Sequence, residues 1–134
     1  MILVRHASAG DRDEWGGDDR LRPLDARGRE QAEGLVSALD GYEITRVVSS
    51  PFLRCVQTVE PLAATRGLEV EPLDELGEER QADDGAALVR SSAGEPIVAC
   101  VHGGLAEAAF GPQWSQKKGG LLLVGDGPRV LGRL

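Results

Sequence analysis

The sequence predicts an α/β fold: a three-layer α/β/α sandwich on a mostly parallel sheet, formed as one domain over residues 1–134. Three observations predict it. The apolar runs at 1–5 and 96–101 are continuous rather than alternating, as in strands covered on both faces. Helix-period segments fall between the strand candidates, the order that gives parallel crossovers. A chain of 134 residues, 41% hydrophobic and 28% charged, can bury one core but not two.

Taken in order, Met1–Arg5 is the first strand, and His6 follows it directly. Residues 8–24 form a long polar loop, of a length that is usually functional or mobile in a compact domain. Asp25 can cap a helix over Ala26–Leu39, with Leu35, Val36 and Leu39 on its apolar side. The β-branched run Ile44–Val48 is a second strand. Ser50, with Pro51 at the first helical position, opens a helix that carries Phe52, Val56, Val59 and Leu62 towards Arg66. Residues 68–72 make a weaker strand, Asp84–Ser91 a weaker helix, and another helix begins after Gly104. The tail, 121–124 and 129–133 around Gly125-Asp126-Gly127-Pro128, reads as a hairpin.

Composition excludes several classes. A formal net charge of −7 argues against a nucleic-acid polymer as partner, although a local Arg/His cluster can still bind a small anion. No apolar run approaches the roughly 18–20 residues of a membrane span, and the start lacks the shape of a signal peptide. The expectation is a cytoplasmic protein without a membrane partner. Cys55 and Cys100 sit in apolar stretches and read as buried free thiols rather than a disulfide. Neither a CxxC nor an HxxxH spacing occurs, so no metal and no cofactor is expected.

The chain has only two histidines, and each follows a strand: His6 after Ile2–Val4, His102 after Ile97–Val101. In open parallel sheets, ligands bind beyond the carboxyl ends of the strands. If the two strands are neighbours, both imidazoles emerge on that edge. Arg5 precedes His6, and Arg54 lies in the first turn of the helix after Ser49-Ser50-Pro51. Arginine is costly beside a strand end unless it meets an anion. Two guanidiniums, two imidazoles and a helix N-terminus on one edge describe a phosphate pocket.

These residues match a family. Leu3-Val4-Arg5-His6-Ala7, Ser49-Ser50-Pro51-Phe52-Leu53-Arg54-Cys55-Val56-Gln57-Thr58 and Val101-His102-Gly103-Gly104 resemble the three motifs of the histidine phosphatase (phosphoglycerate mutase-like) superfamily. Arg22-Pro23-Leu24-Asp25, continuing through Gly28 to Gln31-Ala32, resembles the segment leading into its first helix. Two departures are Ala7 in place of the usual Gly, and the absence of an Asn that often follows the first motif.

The resemblance implies that His6 is the nucleophile and is phosphorylated during turnover, with Arg5, Arg54 and His102 holding the phosphoryl oxygens. These side chains would supply the charge that a metal supplies elsewhere. It also implies a carboxylate to protonate the leaving group. Glu75, after the strand at 68–72, is the first candidate, with Glu78 and Glu79 as competitors. Only 20 residues separate Glu75 from the strand at 96, which leaves no room for a large helical lid and suggests a shallow, open pocket. That economy resembles the SixA-type phosphatases, so phosphohistidine of a protein is the substrate the resemblance implies first. The loop Gly16-Gly17-Asp18-Asp19 and the pair Lys117-Lys118 are also similar to the phosphatase domain attached to bacterial Nudix hydrolases. A phosphorylated small metabolite, such as a nucleotide, is therefore the alternative. Lys117-Lys118 reads either as a phosphate contact or as a solvated turn. A non-catalytic phosphate-sensing module would be marked by loss of a cage residue, and none of the four is lost.

Overall fold

The computed structural model describes residues 1–134, all of the chain. Its strands are β1 Ile2–Arg5, β2 Arg46–Ser49, β3 Val70–Pro72, β4 Ile97–Val101, β5 Gly120–Leu123 and β6 Arg129–Arg133. They form one sheet in the order β3-β2-β4-β1-β5-β6. The first four strands in that order run parallel, and the β5–β6 hairpin adds antiparallel to β1. The helices are α1 Ala26–Ala38, α2 Leu53–Thr65, α3 Ala86–Ser91 and α4 Leu105–Phe110. None is long and apolar enough to cross a membrane.

The continuous apolar runs are explained by burial on both faces. Ile2 and Val4 of β1, with Val98 and Cys100 of β4, pack against Leu35, Leu39, Val59 and Leu62 of the α1–α2 layer. Leu3, Ile97, Ala99 and Val101 turn the other way, onto Val89, Leu105 and Ala106 of the α3–α4 layer. Each Val, Leu or Ile among them contributes about 1.5–3 kcal/mol by leaving water. The sheet is therefore the stiff centre of a sandwich, and β4 is its axis.

Asp25 caps α1 as expected, its Oδ1 accepting from the Gly28 N–H at 2.8 Å. Gly28 is required there: a Cβ would fall 1.9 Å from the Ser8 carbonyl oxygen, so only glycine lets the 8–24 loop approach the helix. Helix α2 departs from expectation and begins at Leu53, not Pro51. Ser50 continues the strand pairing instead, its N–H donating to the Cys100 carbonyl at 3.0 Å, and the turn starts only afterwards. The helix expected over 84–91 likewise begins late, at Ala86, because a π-type turn over Gln81–Gly85 precedes it. Residues 8–24 are not structureless. They hold 3₁₀ turns at Arg12–Glu14 and Asp19–Leu21, capped by the side chains of Asp11 and Asp18.

Because β4 lies between β1 and β2, three carboxyl strand ends sit side by side. His6, Ser50 and His102 are the first residues beyond them.

Candidate active site

His6 extends the pairing of β1, its N–H donating to the Val101 carbonyl at 3.0 Å. Its ring stands edge-on to that of His102, centroids 5.6 Å apart. Nδ1 lies 2.8 Å from the Ala7 carbonyl oxygen. A carbonyl only accepts, so Nδ1 carries the proton and Nε2 presents the lone pair. Burial pushes the imidazole down to about 3; the Ala7 bond opposes this, and the charges of His102, Arg54 and Arg5 reinforce it. His6 is thus neutral near pH 7. Ala7 stands where glycine was expected without strain, since no residue other than glycine has a positive φ. Its N–H donates to Thr58 Oγ1 at 3.0 Å, and its methyl joins Ala9, Leu24 and Ala32 in a small cluster.

His102 is almost fully buried, with Nε2 2.8 Å from Ser50 Oγ and 3.6 Å from Cys55 Sγ. Gln81 clamps its backbone, accepting from the His102 N–H at 3.3 Å and donating to the Gly103 carbonyl at 2.9 Å. Arg5 donates from Nη1 to the Gln116 carbonyl at 2.7 Å. A Cβ on Gly103 would lie 2.8 Å from the Arg5 Cζ, so glycine at that position admits the guanidinium. Arg5 Nε, Arg54 Nε and His102 Nδ1 are buried without a hydrogen-bond partner. Such atoms carry a desolvation cost that an oxyanion would offset.

Arg54 has no exposed side-chain surface and lies 5.0 Å from the Phe52 ring centroid. It does not line the cavity. Its Nη1 donates to the Asp19 carbonyl at 2.9 Å, and Nη2 reaches Asp19 Oδ2 at 3.1 Å and Glu78 Oε2 at 3.5 Å. Asp19 also takes Arg22 Nε at 3.0 Å and lies 3.6 Å from Arg12. Burial pushes the Asp19 carboxyl up, but the Arg22 hydrogen bond and the charges of Arg54 and Arg12 outweigh it and hold it below the usual range.

The cavity measures about 620 Å³ and has no apolar residue in its wall. Arg5, His6 and His102 line it together, with Arg12, Arg22, Glu78, Gln116 and Lys118 completing the ring. His6 itself is buried at 5% exposure. Glu75 is not brought to the cavity; its carboxylate faces Arg80 at 3.9 Å. The 3₁₀ turn Asp74–Leu76 buries Leu76, and the extended Gly77 then carries the chain on so that Glu78 lines the cavity. Glu79 pairs outward with Arg20 at 3.1 Å. Lys118 lines the cavity and Lys117 is exposed outside it. Nothing in the sequence marks Arg12, Gln81 or Gln116, and Asp19 and Arg22 stand out only as members of family-like segments. Only the i,i+3 spacing of Asp19 and Arg22 offered a local signal.

Known proteins resemble the chain in sequence and in fold. The model of the histidine phosphatase superfamily, branch 1, matches residues 1–84. An 8-oxo-(d)GTP phosphatase of Mycolicibacterium smegmatis is 40% identical over 111 residues, 77% of this chain and 34% of the relative. The chain thus spans about a third of that relative's length. The protein histidine phosphatase SixA, solved with tungstate, superposes with a TM-score of 0.71 at 22% identity, covering 96% of this chain and 92% of SixA. A mycobacterial glucosyl-3-phosphoglycerate phosphatase gives 0.72 at 16% identity, covering 97% and 95%.

Proposed function

Since the chain belongs to the histidine phosphatase superfamily, we propose that it is a metal-independent phosphatase in which His6 takes the phosphoryl group. The observation that carries this reading is the tautomer of His6. With Nδ1–H held by the Ala7 carbonyl, Nε2 is the free nucleophile, and it is neutral. Nε2 attacks phosphorus as the bond to the leaving oxygen breaks. Arg5 and His102 hold the phosphoryl oxygens, and Arg54, outside the cavity wall and bonded to Asp19, supports them from behind by its charge. Catalysis of this kind is mainly positioning and electrostatic stabilisation. Glu78, rather than Glu75, gives a proton to the leaving oxygen and then takes one from the water that clears the phosphohistidine. Asp11, the other lining carboxylate, accepts the Asp13 N–H in a turn; Glu78 pairs with Arg12 at 2.9 Å and must leave that pair to carry the proton.

The substrate we favour is a small phosphate ester, the nucleoside phosphates included. The buried His6 and the 40% identity to an 8-oxo-(d)GTP phosphatase support it. Phosphohistidine of a protein is the second reading, supported by the short segment between β3 and β4, which carries no large helical lid, and by the SixA-like fold. The test is rapid quench with ³²P-labelled substrate beside a panel of nucleotides, sugar phosphates and phosphohistidine peptide. An acid-labile, alkali-stable label on His6, absent from His6→Ala along with turnover, is expected. Label on Ser8 or Cys55 would overturn the mechanism.

A further inference from the structure

A second cavity, about 220 Å³, opens beside the first. Gly10, Asp11 and Arg22 wall both cavities, while Glu14, Trp15 and Pro23 belong to the second. Trp15 is 38% exposed, one of only three large apolar side chains left on the surface. Leaving part of an indole in water forgoes burial energy, and no step of phosphoryl transfer uses it. Yet the ring is fixed. Its Nε1 donates to the Asp18 carbonyl at 2.8 Å, and Gly17 runs so close that a Cβ there would lie 3.4 Å from Nε1. A pre-ordered, part-exposed aromatic next to a phosphate cavity has the form of a stacking platform.

We propose that this second cavity is a leaving-group subsite that takes the base of a nucleoside phosphate, stacked on Trp15 while the phosphate lies over His6. The inference rests on the phosphatase reading and adds the substrate class to it. The two cavities are adjacent rather than merged, so the occupant needs a spacer between phosphate and ring, which a ribose provides. A ring bonded directly to the phosphoryl group, as in an aryl phosphate or phosphohistidine, would stay in the first cavity. An alkyl or sugar phosphate would gain nothing from the indole.

Guanosine 5′-monophosphate and ribose 5-phosphate carry the same phosphate ester and differ only in the base, so their ratio of kcat/KM isolates the subsite. The native enzyme should prefer the nucleotide by about tenfold or more, Trp15→Ala should remove about tenfold of that preference through KM, and Trp15→Phe should restore most of it. In the His6→Ala protein, guanosine 5′-monophosphate should quench indole emission and ribose 5-phosphate should not. The quench should vanish in His6→Ala/Trp15→Phe, where Trp114 remains. A native ratio near one, or a ratio that Trp15→Ala leaves unchanged, would overturn the subsite while leaving the phosphatase standing. If neither ester is hydrolysed, the quench decides, and its absence ends the subsite, while the phosphatase reading stands or falls separately on the labelling of His6.

Discussion

The two walls of the cavity are built by different means. On the sheet side, His6 and His102 are held by strand pairing and short bonds to neighbours, among them Ala7, Ser50 and Gln81, over a core that excludes water. On the loop side, Arg12, Arg22 and Glu78 are held largely by ion pairs, with Asp19 behind them, several of these pairs half exposed. Exposed pairs contribute about 0–1 kcal/mol each, far less than a buried strand. The difference assigns the work. The invariant part of the reaction belongs on the stiff wall, and recognition of what is attached to the phosphate belongs on the wall that can adjust.

If so, His102→Gln should lower kcat by about 10²–10³-fold on every phosphate ester, the loss expected when one oxyanion donor is removed. A loss confined to one substrate would break the comparison, and steady-state kinetics on two unrelated esters decides it. Glu78→Gln should slow alkyl ester hydrolysis by about 10²-fold or more and Glu75→Gln by less than about threefold. Turnover of phosphohistidine, whose imidazole leaving group solvent can protonate, should fall much less. Equal losses in the two variants would return the proton-donor role to the segment at large.

Asp19→Asn tests whether the loop wall competes with substrate. It should cost about 1–2 kcal/mol of stability, since Arg54 is fully buried while the Asp19 side chain is 31% exposed and partly screened. The same change should lower the inhibition constant of inorganic phosphate a few-fold by leaving the Arg54 charge behind the cavity less neutralised. A weaker grip on phosphate would mean that Asp19 organises the cage instead.

The stiff wall also has a pH signature. Unfolded His6 binds a proton near pH 6.5, whereas folded His6 waits until about 3. Between those values the unfolded state holds more protons. Stability therefore falls as pH drops through the window, by roughly 1.4 kcal/mol per pH unit, and this contribution is constant above it. Denaturant titrations from about pH 7 to 4 should show a steeper loss for the native protein than for His6→Gln; parallel profiles would contradict the burial argument. The smallest effect is expected at the rim, where Lys118→Ala should raise KM about threefold and leave kcat alone.

The stiff wall was legible in the sequence and the adjustable one was not, for the same physical reason. A continuous apolar run announces a doubly covered strand, and the residue after it announces the edge, so Arg5, His6 and His102 could be placed from local pattern. Arg54 was placed by its helix, but its burial beneath Asp19 could not be, because that pair joins residues 35 apart through a loop without periodicity. Glu75 follows the strand at 68–72, where the resemblance implies the proton donor, but the Asp74–Leu76 turn and extended Gly77 bring Glu78 to the cavity instead. Gln81 and Gln116 gave no sign, since a polar side chain satisfied far along the chain looks like any surface glutamine.

The position of β4 between β1 and β2 has a consequence for how the protein comes into being. Until residues 97–101 enter the sheet, β1 and β2 have no common neighbour, and each offers an open edge to pairing with another chain. The pairing of β1 with β4 joins residues about a hundred apart in sequence, the kind of contact that forms slowly. His6 is made about a hundred residues before its neighbour His102, and the two are brought together only in the step that closes the gap in the sheet.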